Sequence, residues 1–124
     1  MARIMTVDDS RLVRSIITAS LGEAGYETVE AENGKEAMEL LEQLDKEDAQ
    51  IDLMFLDVNM PEMGGLEVVE QVKNDTRYED VIILMVTTMN EMETVIDAIN
   101  LGVSGYIKKP FKESSIVEAL GKVL

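Results

Sequence analysis

The stretch IDLMFLDVNMPEMGG, residues 51–65, carries an acid to the end of an apolar run. Ile51, Leu53, Met54, Phe55 and Leu56 come first, then Asp57. Beyond it the chain turns through Asn59, Pro61 and the Gly64-Gly65 pair. Residues 53–56 do not alternate between apolar and polar, and neither do residues 81–86 of VIILMVTT. Uniform runs of this length read as strands covered on both faces, which is the habit of parallel sheets.

The rest of the chain supports that reading. ARIMTV (2–7), YETVEA (26–31) and the short GYIKK (105–109) read as further strands. Between the strands, and after the last, apolar residues recur at helical spacing. Leu12, Val13, Ile16, Ile17 and Leu21 do so in SRLVRSIITASLGEAG (10–25), and Ala37, Met38, Leu40, Leu41 and Leu44 in NGKEAMELLEQLDKED (33–48). GLEVVEQVKND (65–75), EMETVIDAINLG (91–102) and ESSIVEALGKVL (113–124) complete the set. Strict alternation of strand and helix predicts an α/β, doubly wound (βα)5 domain with a parallel five-stranded sheet. Nothing resembles a linker, repeat or low-complexity segment, so residues 1–124 read as one domain.

Composition removes whole classes of chemistry. There is no cysteine and no histidine, so thiolate sites, disulfides, His-based triads and His metal ligands are excluded. A bound metal must be held by oxygen, which favours Mg²⁺, Ca²⁺ or Mn²⁺. The net charge is −14, with 11 basic residues spread along the chain, which argues against nucleic-acid binding and against an anionic membrane surface. No apolar stretch approaches a membrane span and the N-terminus lacks a signal-peptide layout, so a cytoplasmic location is expected.

In an open parallel sheet, ligands bind beyond the carboxyl ends of the strands. Those ends carry Asp8-Asp9, Asp57, Thr87-Thr88 and Lys108-Lys109, the last followed by Pro110. Three carboxylates on one rim repel one another by roughly 3 kcal/mol per pair at ~5 Å and an effective dielectric of ~20. Protonation of one acid or binding of a cation relieves this, and Mg²⁺ suits oxygen ligands. Lys109 could neutralise part of the remainder. Plainer roles compete for each residue. Asp9 or Ser10 could cap the helix from Arg11, and Lys109 could be a solvated surface lysine.

VDDS (7–10), FLDVNMPEMGG (55–65), MVTT (85–88) and YIKKPF (106–111) occur in this order across the whole chain. Together they resemble a response-regulator receiver domain, most closely the single-domain, chemotaxis CheY-like type. The resemblance implies a flavodoxin-like fold with strand order 2-1-3-4-5. It implies a two-component phosphorelay signalling protein that accepts a phosphoryl group from a histidine kinase, of the chemotaxis CheA type, onto Asp57. Asp9 and Asp57 would ligate Mg²⁺ directly, with Mn²⁺ as a substitute. Asp8 would assist, and the Asn59 backbone carbonyl would complete the protein ligands. Lys109 and Thr87 would contact phosphoryl oxygens, and a cis Lys109-Pro110 bond would aim the lysine.

The same resemblance gives Thr87 and Tyr106 a switching role and makes the fourth helix, fifth strand and fifth helix the output face. The downstream target would be one such as the flagellar motor switch, with a phosphatase as a further partner. Such a protein catalyses its own phosphorylation and slow dephosphorylation, yet acts in signalling rather than turnover. Asn59 and Met89 occupy the positions that tune the acyl-phosphate lifetime, and the apolar Met89, unable to orient water, suggests a longer one. Thr88 adds bulk where receivers commonly carry Ala, restricting access beside the phosphoryl pocket. Other roles stay open: a relay intermediate or phosphate sink within the family, or a flavodoxin-like cofactor binder outside it. Against the last stand the acids in the first loop and only five aromatic residues.

Overall fold

The computed structural model describes residues 2–60, 62–88 and 92–124. Five strands alternate with five helices: β1 Arg3–Val7, α1 Arg11–Glu23, β2 Glu27–Ala31, α2 Gly34–Lys46, β3 Leu53–Asp57, α3 Gly65–Lys73, β4 Ile82–Thr87, α4 Met92–Asn100, β5 Gly105–Lys108 and α5 Glu113–Val123. The strands form one sheet in the order β2-β1-β3-β4-β5, with every pairing parallel. This is the (βα)5 architecture and strand order expected. The predicted start of the fourth helix, Glu91, lies outside the described residues, as do Pro61 and Met89.

All five residues of β3 are buried. The uniformity of LMFLD follows from the layers above and below it. Leu53 and Phe55 pack with Ile17 and Leu21 of α1 and with Ile116 and Leu120 of α5. Met54 and Leu56 point the other way, among Ala37 and Leu41 of α2, Val68 and Val72 of α3, and Val95 and Ala98 of α4. Period-two side chains thus meet an apolar layer on either side along residues 53–56, and the polar Asp57 comes only at the strand's end. Each large side chain buried this way contributes about 1.5–3 kcal/mol. The edge strand β2 is different: Glu27 and Glu30 are exposed and only Ala31 is fully buried. Charged edges discourage pairing with another chain.

Local chemistry fixes where the helices begin. The Ser10 hydroxyl accepts from the Val13 amide at 3.2 Å and caps α1. Asn33 caps α2, its Oδ1 accepting from the Glu36 amide at 2.8 Å, while the Glu36 carboxylate reaches back to the Glu32 amide at 3.3 Å. The start of α3 departs from what the sequence suggested. Gly64 and Gly65 look like turn glycines, yet neither adopts positive φ. A Cβ on Gly65 would stand 2.4 Å from the Asp57 carbonyl oxygen, so this residue is glycine because α3 begins directly against the end of β3.

Two glycine substitutions separate these effects. Gly65→Ala is expected to destabilise by about 1–3 kcal/mol, the usual cost of overpacking. Gly22, inside α1 with nothing within 4 Å of an added Cβ, should gain about 0.5–1 kcal/mol as alanine. Urea unfolding of the two variants checks both; equal effects would contradict the close approach of α3 to β3.

Candidate functional site

The sheet brings its C-terminal strand ends onto one rim. Asp8 follows β1 directly, Asp57 closes β3, and Lys109 follows β5. One carboxylate oxygen from each of Asp8, Asp9 and Asp57 lies within 4.8 Å of the others. Asp8 and Asp57 are buried, and Asp9 is exposed. Lys109, after β5, reaches past the end of β4 to both buried acids: its Nζ donates to Asp57 Oδ1 at 3.1 Å and lies 3.3 Å from Asp8 Oδ2. The Lys109-Pro110 peptide bond is cis.

Burial and charge pull these groups in opposite directions. Burial is the largest influence on Asp57 and pushes its carboxyl up to about 6; the neighbouring Asp8 adds to the rise and Lys109 opposes it. Asp8 is also raised by burial, against the Ser10 amide and Lys109, which favour its ionised form. Burial disfavours the charged form of Lys109, but Asp57 and Asp8 together outweigh it and leave its pKa raised. When all four groups are ionised, three carboxylates and one ammonium leave two negative charges in a partly buried cluster.

That remainder suits a divalent cation. Asp8 Oδ2 is buried and, although charge-paired with Lys109, accepts no aligned hydrogen bond. A buried carboxylate oxygen in that condition is costly unless it gains a further partner. The donors are all oxygen, as Mg²⁺ requires. Asp8, Asp9 and Asp57 therefore fit a Mg²⁺ site.

Thr87 and Tyr106 belong to β4 and β5, the two strands next to β3 on the side away from β1. Thr87 is buried at the end of β4, and its hydroxyl donates to the Thr88 carbonyl at 2.9 Å. Tyr106 lies beside Met85 in the β4–β5 register and is 39% exposed. Asn59 is exposed, two residues past Asp57. Of the predicted site residues, the structure gathers Asp8, Asp9, Asp57 and Lys109 into one cluster, and Met89 is outside the described residues.

Sequence reasoning missed the supports of this cluster. The Ser10 amide donates to Asp8 Oδ1 at 2.8 Å, so Ser10 both caps α1 and orients the acid. The D-x-S spacing of Asp8 and Ser10 is the signal that could have shown this. Arg14 donates from Nη1 to the Asp8 backbone carbonyl at 2.6 Å, a contact no local motif announces.

The raised carboxyl of Asp57 has a measurable consequence. Its folded pKa, about 6, exceeds the ordinary value of 3.8, so between these the folded chain holds more proton than the unfolded one. This group's contribution to stability therefore improves as pH falls through 6 and levels off below 3.8. In metal-free buffer, Asp57→Asn should stabilise the fold at neutral pH by about 1–3 kcal/mol, with the gain vanishing towards about pH 4. Urea unfolding across that range checks it; a destabilised variant at neutral pH would mean that the attraction of Lys109 outweighs burial.

Comparison with known proteins agrees with this geometry. Residues 4–121 match the response regulator receiver domain. The chain is 42% identical over 123 residues to chemotaxis protein CheY1 of Helicobacter pylori (strain ATCC 700392 / 26695), covering 98% of this chain and 96% of that one. It is 43% identical over 123 residues to the chemotaxis protein CheY homolog of Campylobacter jejuni (serotype O:23/36, strain 81-176), covering 98% and 92%. The crystal structure of Vibrio cholerae chemotaxis protein CheY4 at low pH superposes with a TM-score of 0.88 at 36% identity, covering 100% of this chain and 99% of that one. With an acid cluster and a bridging lysine on the rim of a 2-1-3-4-5 sheet, the chain belongs to the response regulator receiver domain family.

Proposed function

We propose that this chain is a phosphoryl-accepting switch of two-component signalling, in the chemotaxis branch, with Asp57 as phosphoacceptor. The observation that carries this is the Asp57 carboxylate, fixed at the end of a fully buried strand and bonded through Oδ1 to Lys109 while Asp8 and Asp9 crowd it. A rigid strand places a nucleophile better than a loop does.

Asp57 attacks the phosphorus of a phosphohistidine donor. An O–P bond forms, the P–N bond breaks, and the imidazole leaves with its electron pair. Asp8, Asp9 and Asp57 would hold Mg²⁺, with the Asn59 backbone carbonyl as a further ligand and Mn²⁺ as a substitute. When bound, the metal supplies charge neutralisation for the incoming phosphoryl oxygens. Lys109, already 3.1 Å from Asp57, pairs with one phosphoryl oxygen. The Thr87 hydroxyl gives up the Thr88 carbonyl to donate to another. Its departure leaves room for Tyr106 to turn inward from its half-exposed position. The face of α4, β5 and α5 then changes towards its partner. A coupling of about 1–3 kcal/mol suffices for such a switch.

The relatives named as chemotaxis proteins support a role in chemotaxis signalling; on this reading the donor is a histidine kinase of the CheA type, the downstream target one such as the flagellar motor switch, and a phosphatase a further partner. Residues 1–124 act as a single receiver domain in the cytoplasm; among the described residues no helix is long and apolar enough to cross a membrane. Asn59 and Met89 tune the lifetime of the acyl phosphate. A flavodoxin-like phosphate site would need hydrogen-bond donors where the β1–α1 loop presents Asp8 and Asp9, and that alternative has no support in the geometry.

Acetyl phosphate with Mg²⁺ is expected to label the chain at one site, with no label in Asp57→Asn. Label retained in that variant would overturn the assignment. Lys109→Ala should still bind Mg²⁺ but slow labelling by about 10²-fold, the usual loss when a charge-stabilising donor is removed; wild-type labelling rates would make the lysine decorative.

A further inference from the structure

We infer that Arg14 is a positioning residue for the metal-holding acids: anchored to Glu30, its guanidinium fixes the Asp8-Asp9 peptide and thereby the direction of both carboxylates. The inference rests on the proposed function for its consequence, but its geometry is independent of it.

Arg14 sits one turn into α1, its own amide bonded to the Ser10 carbonyl at 3.1 Å. Its side chain folds back along the helix and is only 13% exposed, which is low for arginine on a first turn. Two contacts occupy it. Nη1 donates to the Asp8 carbonyl at 2.6 Å, and Nε donates to Glu30 Oε1 at 3.0 Å. The guanidinium is planar and rigid, so with Nε fixed by Glu30 the direction of Nη1 is set.

The edge strand β2 therefore holds Asp8 from two sides. Its Ala31 carbonyl accepts from the Asp8 amide at 3.1 Å, and its Glu30 carboxylate acts on the Asp8 carbonyl through Arg14. With N–H and C=O both held, the backbone of Asp8 has little freedom left. Because the peptide unit is planar, fixing the Asp8 carbonyl also fixes the Asp9 amide and the origin of the Asp9 side chain. The Ser10 amide on Asp8 Oδ1 completes the arrangement and leaves Oδ2 facing the cluster.

Charge and positioning predict opposite outcomes, which makes the idea testable. Arg14 is a cation close to a cation site. If its charge were all that mattered, removing it would strengthen Mg²⁺ binding. If it positions the acids, removing it weakens binding despite the lost repulsion. Loss of an outer support of a metal ligand ordinarily costs about 10–100-fold in affinity.

The experiment measures Mg²⁺ affinity by calorimetry for the full chain and for Arg14→Met, Arg14→Lys and Glu30→Gln. It also follows amide hydrogen exchange at Asp8 and Ser10 without metal, using the core amides of β3 as an internal control. The expected result is weaker Mg²⁺ binding by about 10-fold or more in Arg14→Met. Arg14→Lys should lie between, since an ammonium can reach the carbonyl but cannot span it and Glu30 as a fork. Glu30→Gln should also bind Mg²⁺ more weakly, and exchange at Asp8 and Ser10 should quicken against unchanged core amides. Equal or tighter Mg²⁺ binding in Arg14→Met would overturn the inference. Should Arg14→Met fail to fold, Arg14→Lys decides it: the charge is kept, so charge alone predicts unchanged Mg²⁺ affinity and positioning predicts a weaker one, with faster exchange at Asp8 and Ser10 in Glu30→Gln as the second measure. Failure of the wild-type chain to bind Mg²⁺ would sink the proposed function instead; the positioning of Asp8 would then stand or fall on the metal-free exchange rates.

Discussion

Three carboxylates crowd one end of the sheet with the Lys109 ammonium between two of them, and the structure around them is arranged to hold that repulsion in place. Each fold layer contributes one constraint. The buried β3 strand carries Asp57 to the rim without slack. The parallel pairing of β1 with β3 sets Asp8 beside it, since Val7 and Leu56 are register partners. The chain after β5 returns Lys109 to both acids at once. The lysine offsets only part of the negative charge, so the cluster keeps a surplus that suits a divalent ion.

The layers also explain how a small site is held rigid. Towards α1 and β2, Asp8 is held through its amide, its carbonyl and its carboxylate. Beneath Asp57, α3 starts so close that Gly65 admits no side chain. Towards β4 and β5, the Lys109 amide donates to the Thr87 carbonyl at 2.6 Å. The Thr87 hydroxyl is bonded to the carbonyl of its own neighbour, and Tyr106 is half exposed. On α4 and α5, Ile96, Ile99 and Val117 are exposed apolar side chains.

Much of this was legible in the residues. The runs at 53–56 and 81–86 lack alternation because both faces of β3 and β4 are covered, so burial wrote itself into the sequence as uniform hydrophobicity. The acids were legible by position, because parallel strands all end on one side and Asp8, Asp57 and Lys109 stand at such ends. What stayed hidden depends on register or close approach. The reach of Arg14 to Asp8 needs Glu30 on the neighbouring edge strand, and nothing local encodes that pairing. Gly65 reads as a turn residue until the Asp57 carbonyl is seen against it. The exposure of Tyr106 follows from β5 being an edge strand, a consequence of strand order rather than of the GYIKK pattern.

The surplus negative charge of this rim fits a divalent cation. The most direct measurement is anomalous scattering from crystals equilibrated with Mn²⁺. A single peak within coordination distance of the Asp8, Asp9 and Asp57 carboxylates, with Lys109 displaced from none of its strand-end position, is the predicted result. A rim without a peak, or Mn²⁺ bound only at carboxylates elsewhere on the chain, would contradict it.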